Sequence, residues 1–156
     1  MKKLLLFLTL FPIQFLFGQQ DNELDKMLIE SILDYKCNYE SCAARLQPHE
    51  RNLYLCSDNL PIRWKNQEFY ESISMETLTW ENTQKRFLKE MKKGFDLIEI
   101  QYFVFGNTID IQIFEYEITR KRKHIFQGFS SVCHYIYQYN CDINKWERMK
   151  IEKHGI

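Results

Sequence analysis

The sequence predicts an α+β domain, an antiparallel β-sheet covered by an N-terminal helix and a second helix before the last strands. Three observations carry that expectation. Four alternating, aromatic-rich segments between Leu97 and Lys153 read as a C-terminal four-stranded meander, and an amphipathic stretch at the start of the folded chain supplies a cover. A second helical stretch with capping residues stands directly before the meander. The whole sheet is expected to hold four to six strands. A cone-shaped sheet with a ligand pocket between helix and sheet is the alternative form of the same class.

The chain begins Met1-Lys2-Lys3, continues with the apolar run Leu4 to Phe11, and then reaches Pro12, Gln14 and Gly18-Gln19-Gln20. A charged start, a short apolar stretch and a small residue at a cleavage point form the pattern of a secretory signal peptide, here residues 1–18. A membrane-spanning helix needs about 20 apolar residues, and Pro12 and Gln14 interrupt a run already shorter than that. No cysteine stands at the cut to carry a lipid, so the mature chain is expected to be soluble and without a membrane anchor, exported to the periplasm or secreted. Residues 19–156 then form one domain, since Gly and Pro are scarce and no linker or repeat divides them. Removing the leader deletes Lys2 and Lys3 from 21 basic residues and nothing from 21 acidic ones, leaving 19 − 21 = −2. A nearly neutral chain offers no general attraction for nucleic acid, which is not expected as a partner.

Within the domain, Asp21 to Lys36 reads as a helix whose Leu24, Leu28, Ile32 and Tyr35, with Met27 beside them, form one apolar stripe. Cys37 to Cys42 reads as a loop. Asn52 to Cys56 reads as a short strand ended by Ser57-Asp58-Asn59 and Pro61. Ile62-Arg63-Trp64 and Thr77 to Trp80 are candidate edge strands. A second helix is expected after Asn82 or Thr83, with Phe87, Leu88 and Met91 on its apolar edge and Gly94 in the left-handed position that ends it.

The meander opens with Leu97 to Phe105, the pair Gly106-Asn107 and Thr108 to Ile113. A two-residue turn there places Val104 opposite Ile109, Tyr102 opposite Ile111 and Ile100 opposite Ile113, so turn chemistry and apolar pattern agree. Past Ile113 the apolar parity changes to Phe114, Tyr116 and Ile118, as a bulge or a strand end covered on its second face would produce. Arg120-Lys121-Arg122-Lys123-His124 reads as a solvated hairpin tip. The third strand, Gly128 to Tyr139, aligns Phe129, Cys133, Tyr135, Tyr137 and Tyr139 on one side. Trp146 to Lys153 returns with Met149 and Ile151 as core contacts and Arg148, Lys150 and Glu152 facing away.

Cys37, Cys42, Cys56, Cys133 and Cys141 all follow the leader. Each is a candidate for a disulfide bond or a free thiol, and an odd number leaves at least one thiol free or paired between molecules. Cys37 and Cys42 are near enough in sequence to bridge locally. Cys133 and Cys141 are not expected to bridge each other, because an extended run from 133 to 139 spans about 20 Å and a disulfide needs Cα atoms within about 7 Å.

Tyr54-Leu55-Cys56-Ser57-Asp58-Asn59-Leu60-Pro61, Lys92-Lys93-Gly94, and Tyr137 to Cys141 with Trp146 and Gly155-Ile156 together resemble small exported bacterial proteins of unknown function. The resemblance implies export and a single domain, and it implies no activity. No phosphate loop, zinc-protease helix, nucleophile elbow, calcium loop or CxxC pair is present, so no catalytic residue, cofactor or metal is assigned. Cys133 and His134 are adjacent on a strand and point to opposite faces, which makes them poor joint metal ligands. The row Tyr135, Tyr137 and Tyr139 is the candidate ligand-binding surface, with ordinary sheet core as the competing reading. The functional expectation is a non-catalytic binding module of the cell envelope, its partner an unidentified protein or small ligand. The alternatives are a small exported enzyme with Cys56 or Cys133 as nucleophile, and an inhibitor-like or structural protein that binds another protein.

Overall fold

The computed structural model describes residues 23–41, 52–61, 64–65, 67–81, 94–122 and 124–155. Helix α1 covers 23–41. It is followed by β1 (Leu53–Cys56), α2 (Gln67–Ile73), β2 (Thr77–Leu78), β3 (Phe95–Phe105), β4 (Thr108–Lys121), β5 (His124–Asn140) and β6 (Lys145–Gly155). The strands form one open sheet in the order β2-β1-β3-β4-β5-β6. The class is α+β, and the four C-terminal strands are the larger part of a six-stranded sheet.

That sheet is not wholly antiparallel. β1 runs parallel to both neighbours, with Leu55 against Thr77 on one side and Leu53 to Leu55 against Asp96 to Ile98 on the other. Parallel neighbours need a crossover between them, and α2 supplies the one from β1 to β2. The sequence signals for α2 are weak, and its apolar residues Phe69 and Ile73 are legible only once they are seen buried. Of the candidate edge strands, Thr77–Leu78 forms, whereas Trp80 is helical; Trp64 has 3₁₀ conformation, and Ile62 and Arg63 lie outside the described residues. The helix expected after Asn82 or Thr83 lies outside the described residues, although Gly94 does adopt the left-handed backbone, φ +81°.

The α1 stripe is buried as its periodicity requires: Met27, Leu28, Ile32 and Tyr35 face the sheet. The helix runs on through Cys37 to Ser41, where a loop was expected. The short polar side chains there are satisfied inside the helix, Ser41 Oγ donating to the Cys37 carbonyl at 2.8 Å and Asn38 Nδ2 to Asp34 at 3.2 Å. Against α1 lie Ile98 and Ile100 of β3, Ile109, Ile111 and Ile113 of β4, and Cys133, Tyr135 and Tyr137 of β5. Burying each large side chain of this set contributes roughly 1.5–3 kcal/mol.

The β3–β4 hairpin has the expected register. Gly106 has φ +59° while Asn107 does not leave the negative region, which identifies a turn with its glycine first. The parity change beyond Ile113 has its cause on the second face of the sheet. Tyr54, Cys56, Leu78, Phe95, Leu97 and Ile118 form a smaller core there, with Trp80 and Tyr116 against it.

Two bulges correct the expected facing of β5 and β6. The β4–β5 register shifts so that Glu115 pairs with Ser131 but Tyr116 pairs with Phe129. Phe129 is thereby turned to the face opposite Cys133, where it meets Tyr116 edge to face at 6.1 Å. The β5–β6 register shifts at Tyr137, which pairs with Arg148 while Tyr135 pairs with Ile151, leaving Met149 as the extra residue. Arg148 therefore reaches the α1 side, 3.5 Å from Glu30 and 3.9 Å from Asp34, whereas Met149 and Ile151 are exposed rather than in the core. An inserted residue reverses facing, and alternation alone cannot announce it.

Candidate functional site

The tyrosine row divides where α1 ends its cover. Tyr135 and Tyr137 lie between β5 and α1, 1% and 2% exposed. The Tyr135 hydroxyl donates to Asp34 at 3.2 Å and the Tyr137 hydroxyl to the Met27 carbonyl at 3.3 Å. Ser31 Oγ is 3.0 Å from the Tyr137 hydroxyl, and Tyr35 donates to Glu115 from the helix side. Burial pushes the Tyr35, Tyr135 and Tyr137 phenols up, so each remains a protonated donor. A ligand reaches these two rings only if α1 moves. Tyr139 lies beyond that cover, edge to face with Trp146 at 5.4 Å and half-buried.

Four cysteines are free thiols, Cys37 and Cys141 exposed, Cys56 and Cys133 buried; Cys42 lies outside the described residues. Burial pushes the Cys56 thiol up to about 11, with the nearby Asp58 and Glu99 charges adding to the effect. Desolvation also raises the Cys133 thiol. A nucleophilic thiol needs the opposite shift. Cys133 points toward α1, whereas His134 points to the other face and places Nδ1 3.2 Å from both Asp110 oxygens. Gln112 donates to that aspartate at 2.6 Å, and the His154 ring meets the His134 ring edge to face. Among the described residues, no cluster of three or more His, Cys, Asp and Glu side chains is placed to hold a metal ion.

The most site-like geometry lies at the open edge of β3. β1 ends at Cys56, its last partner in β3 is Ile98, and β3 continues to Phe105 with no described strand on that side. Asp96 donates its backbone N–H to the Asn52 carbonyl at 3.0 Å, which shows that the even residues of β3 present their backbone groups to this edge. The N–H and C=O of Tyr102 and Val104 therefore point outward. The loop after β1 folds past this edge and leaves a cavity of about 290 Å³, lined by Asn59, Pro61, Trp64, Ile100, Gln101, Tyr102 and Phe103. Trp64 is fixed by stacking on Phe69 at 6.2 Å, by Tyr102 at 5.6 Å, and by donating its indole N–H to Asp25 of α1. Asn59 donates to Glu99, a buried carboxyl raised first by desolvation and then by the charge of Asp58.

This groove is small for a cofactor, whose pockets begin near 300 Å³ and extend to about 1,000 Å³. It has room for one or two large side chains beside an extended backbone. Sequence reasoning reads Pro61 and Asn59 as turn formers and Tyr102 and Phe103 as strand residues; the signal that they meet would have been the length mismatch between a four-residue strand and its eleven-residue neighbour. No protein-family model, curated protein or solved structure matches the chain. The groove's chemistry is therefore the basis for a functional reading.

Proposed function

We propose that the protein is a non-catalytic binding module of the cell envelope that holds an extended, apolar segment of another protein along the open edge of β3. The observation that carries this is the run of outward-facing backbone groups past Ile98, set beside an aromatic groove formed by Trp64, Tyr102 and Phe103. An added strand gains affinity from main-chain hydrogen bonds and selectivity from a pocket that takes alternate side chains. The export pattern at residues 1–18 supports the cell-envelope setting. The raised Cys56 and Cys133 thiols speak against the rival reading of a cysteine enzyme.

The test is selection of binders from a library of displayed extended peptides, followed by comparison of the wild type with Tyr102→Pro. Proline at that position removes an outward N–H and leaves the ladder to β4 intact, a placement that edge strands tolerate. The selected peptides should carry a large apolar residue, and Tyr102→Pro should weaken them by tenfold or more, the size of about one lost hydrogen bond plus a displaced backbone. Equal binding by both proteins, with circular dichroism unchanged, refutes strand addition at this edge.

A further inference from the structure

At the opposite end of the sheet, β4 and β5 outrun their neighbours. The last β3 partner of β4 pairs Phe95 with Ile118, and the last β6 partner of β5 pairs Gly155 with Ser131. From Thr119 to Phe126 the two strands pair only with each other among the described residues, as a projecting ribbon. Its turn is held by Arg122 at φ +59° and by Arg120 Nε donating to the Arg122 carbonyl at 3.0 Å. The ribbon carries Arg120, Lys121, Arg122 and His124 together with Ile125 and Phe126, which are 39% and 51% exposed. Opposed pairing places Arg120 beside Ile125 on one face and Thr119 beside Phe126 on the other, so both faces combine an apolar side chain with nearby cations. No aspartate or glutamate occurs in the sequence between Ile118 and Cys141.

We propose that this ribbon docks on an anionic lipid surface. A ribbon tip with several cations, no acidic group and large apolar side chains on both faces complements that surface: the cations meet the headgroup charge while Ile125 and Phe126 enter the boundary with the acyl chains. The near-neutrality of the whole chain is no obstacle, because surface charge acts over about a Debye length, roughly 8 Å at physiological salt, and the ribbon carries its cations away from the sheet. A nucleic-acid surface would use the same cations but gives the outward Ile125 no role, since stacking needs flat rings. This site is independent of the β3 groove.

The experiment is co-sedimentation of the protein, lacking residues 1–18 as after export, with vesicles of phosphatidylcholine alone and of phosphatidylcholine mixed with phosphatidylglycerol. Binding is expected to the mixed vesicles and to fall with added salt. Lys121→Gln with Arg122→Asn removes two charges while asparagine keeps the left-handed turn; at about fivefold per cation, partitioning should drop about 30-fold. Ile125→Ser with Phe126→Ser alters exposed side chains only and should also release the protein, with circular dichroism unchanged. No sedimentation with mixed vesicles, equal binding to phosphatidylcholine alone, or unaltered binding by both variants each overturns the proposal. So does binding to a single-stranded oligonucleotide that is lost in the charge variant while vesicle binding is not.

Discussion

The two halves of β3 have similar apolar content and opposite fates. Phe95 to Ile100 are all buried, and Gln101 to Phe105 are all exposed, although Tyr102, Phe103, Val104 and Phe105 are as apolar as the residues before them. The first half has β1 at its edge and a core on each face, that under α1 and the smaller one around Tyr54 and Leu97. The second half lies past the end of β1 and faces the groove. Burial along a strand is thus set by where its neighbours stop, and an uncovered continuation of a well-built strand is a place for something else to bind.

The comparison breaks most readily under truncation. Ile98→Ala should cost about 2–5 kcal/mol, because the side chain is fully buried and leaves a cavity, while Val104→Ala should cost no more than about 0.5 kcal/mol. Urea unfolding of both variants measures the gap, and equal losses would show that the second half is covered in solution. A smaller effect separates a hydroxyl under α1 from one on the uncovered half of β3. Tyr137→Phe removes donation to the Met27 carbonyl and should cost about 1 kcal/mol, whereas Tyr102→Phe should leave the unfolding midpoint unchanged.

Thiol labelling sharpens the boundary itself, since Cys56 marks the end of β1. In the native protein Cys37 and Cys141 should react freely, and Cys56 and Cys133 at least about 100-fold more slowly, because they must wait for local opening. Uniform labelling would place the end of β1 in solvent. The smallest expected effect concerns Glu99, which stands where the covered half ends. Its folded carboxyl holds its proton to higher pH than in the unfolded chain, so its ionisation opposes folding at neutral pH and has no effect in acid, where both states are protonated. Glu99→Gln should therefore stabilise the protein at neutral pH by up to about 0.5 kcal/mol, with the gain fading as pH falls through the folded carboxyl's range. Unfolding followed at both ends of that range reads the sign.

Much of the fold was legible because local rules agreed with one another. The Gly106-Asn107 turn, the alternation on both sides of it and the α1 stripe each specified the arrangement that formed. The parallel placement of β1 was not legible, because it depends on a crossover through α2, whose short segment has no strong cap or period. The facing of Phe129, Arg148 and Met149 was hidden by two bulges, each a single added residue in an otherwise regular pattern. The tyrosine row could be read as one surface, yet only tertiary cover distinguishes Tyr135 and Tyr137 from Tyr139. The groove escaped because Trp64 and Tyr102 are far apart in sequence and meet through packing alone.

The bulge at Met149 also bears on strand pairing between molecules. β6 is an outermost strand eleven residues long, a natural template for joining sheets from different molecules. Its ladder is interrupted by the extra residue, and Lys145, Lys150 and Lys153 are exposed along it, so a second regular strand would meet misaligned groups and a row of charged side chains. The other outermost strand, β2, has only two residues and offers almost nothing to pair with. Strand addition between molecules is thereby discouraged at both ends of the sheet, in contrast to the edge of β3 past Ile98, where no bulge interrupts the strand.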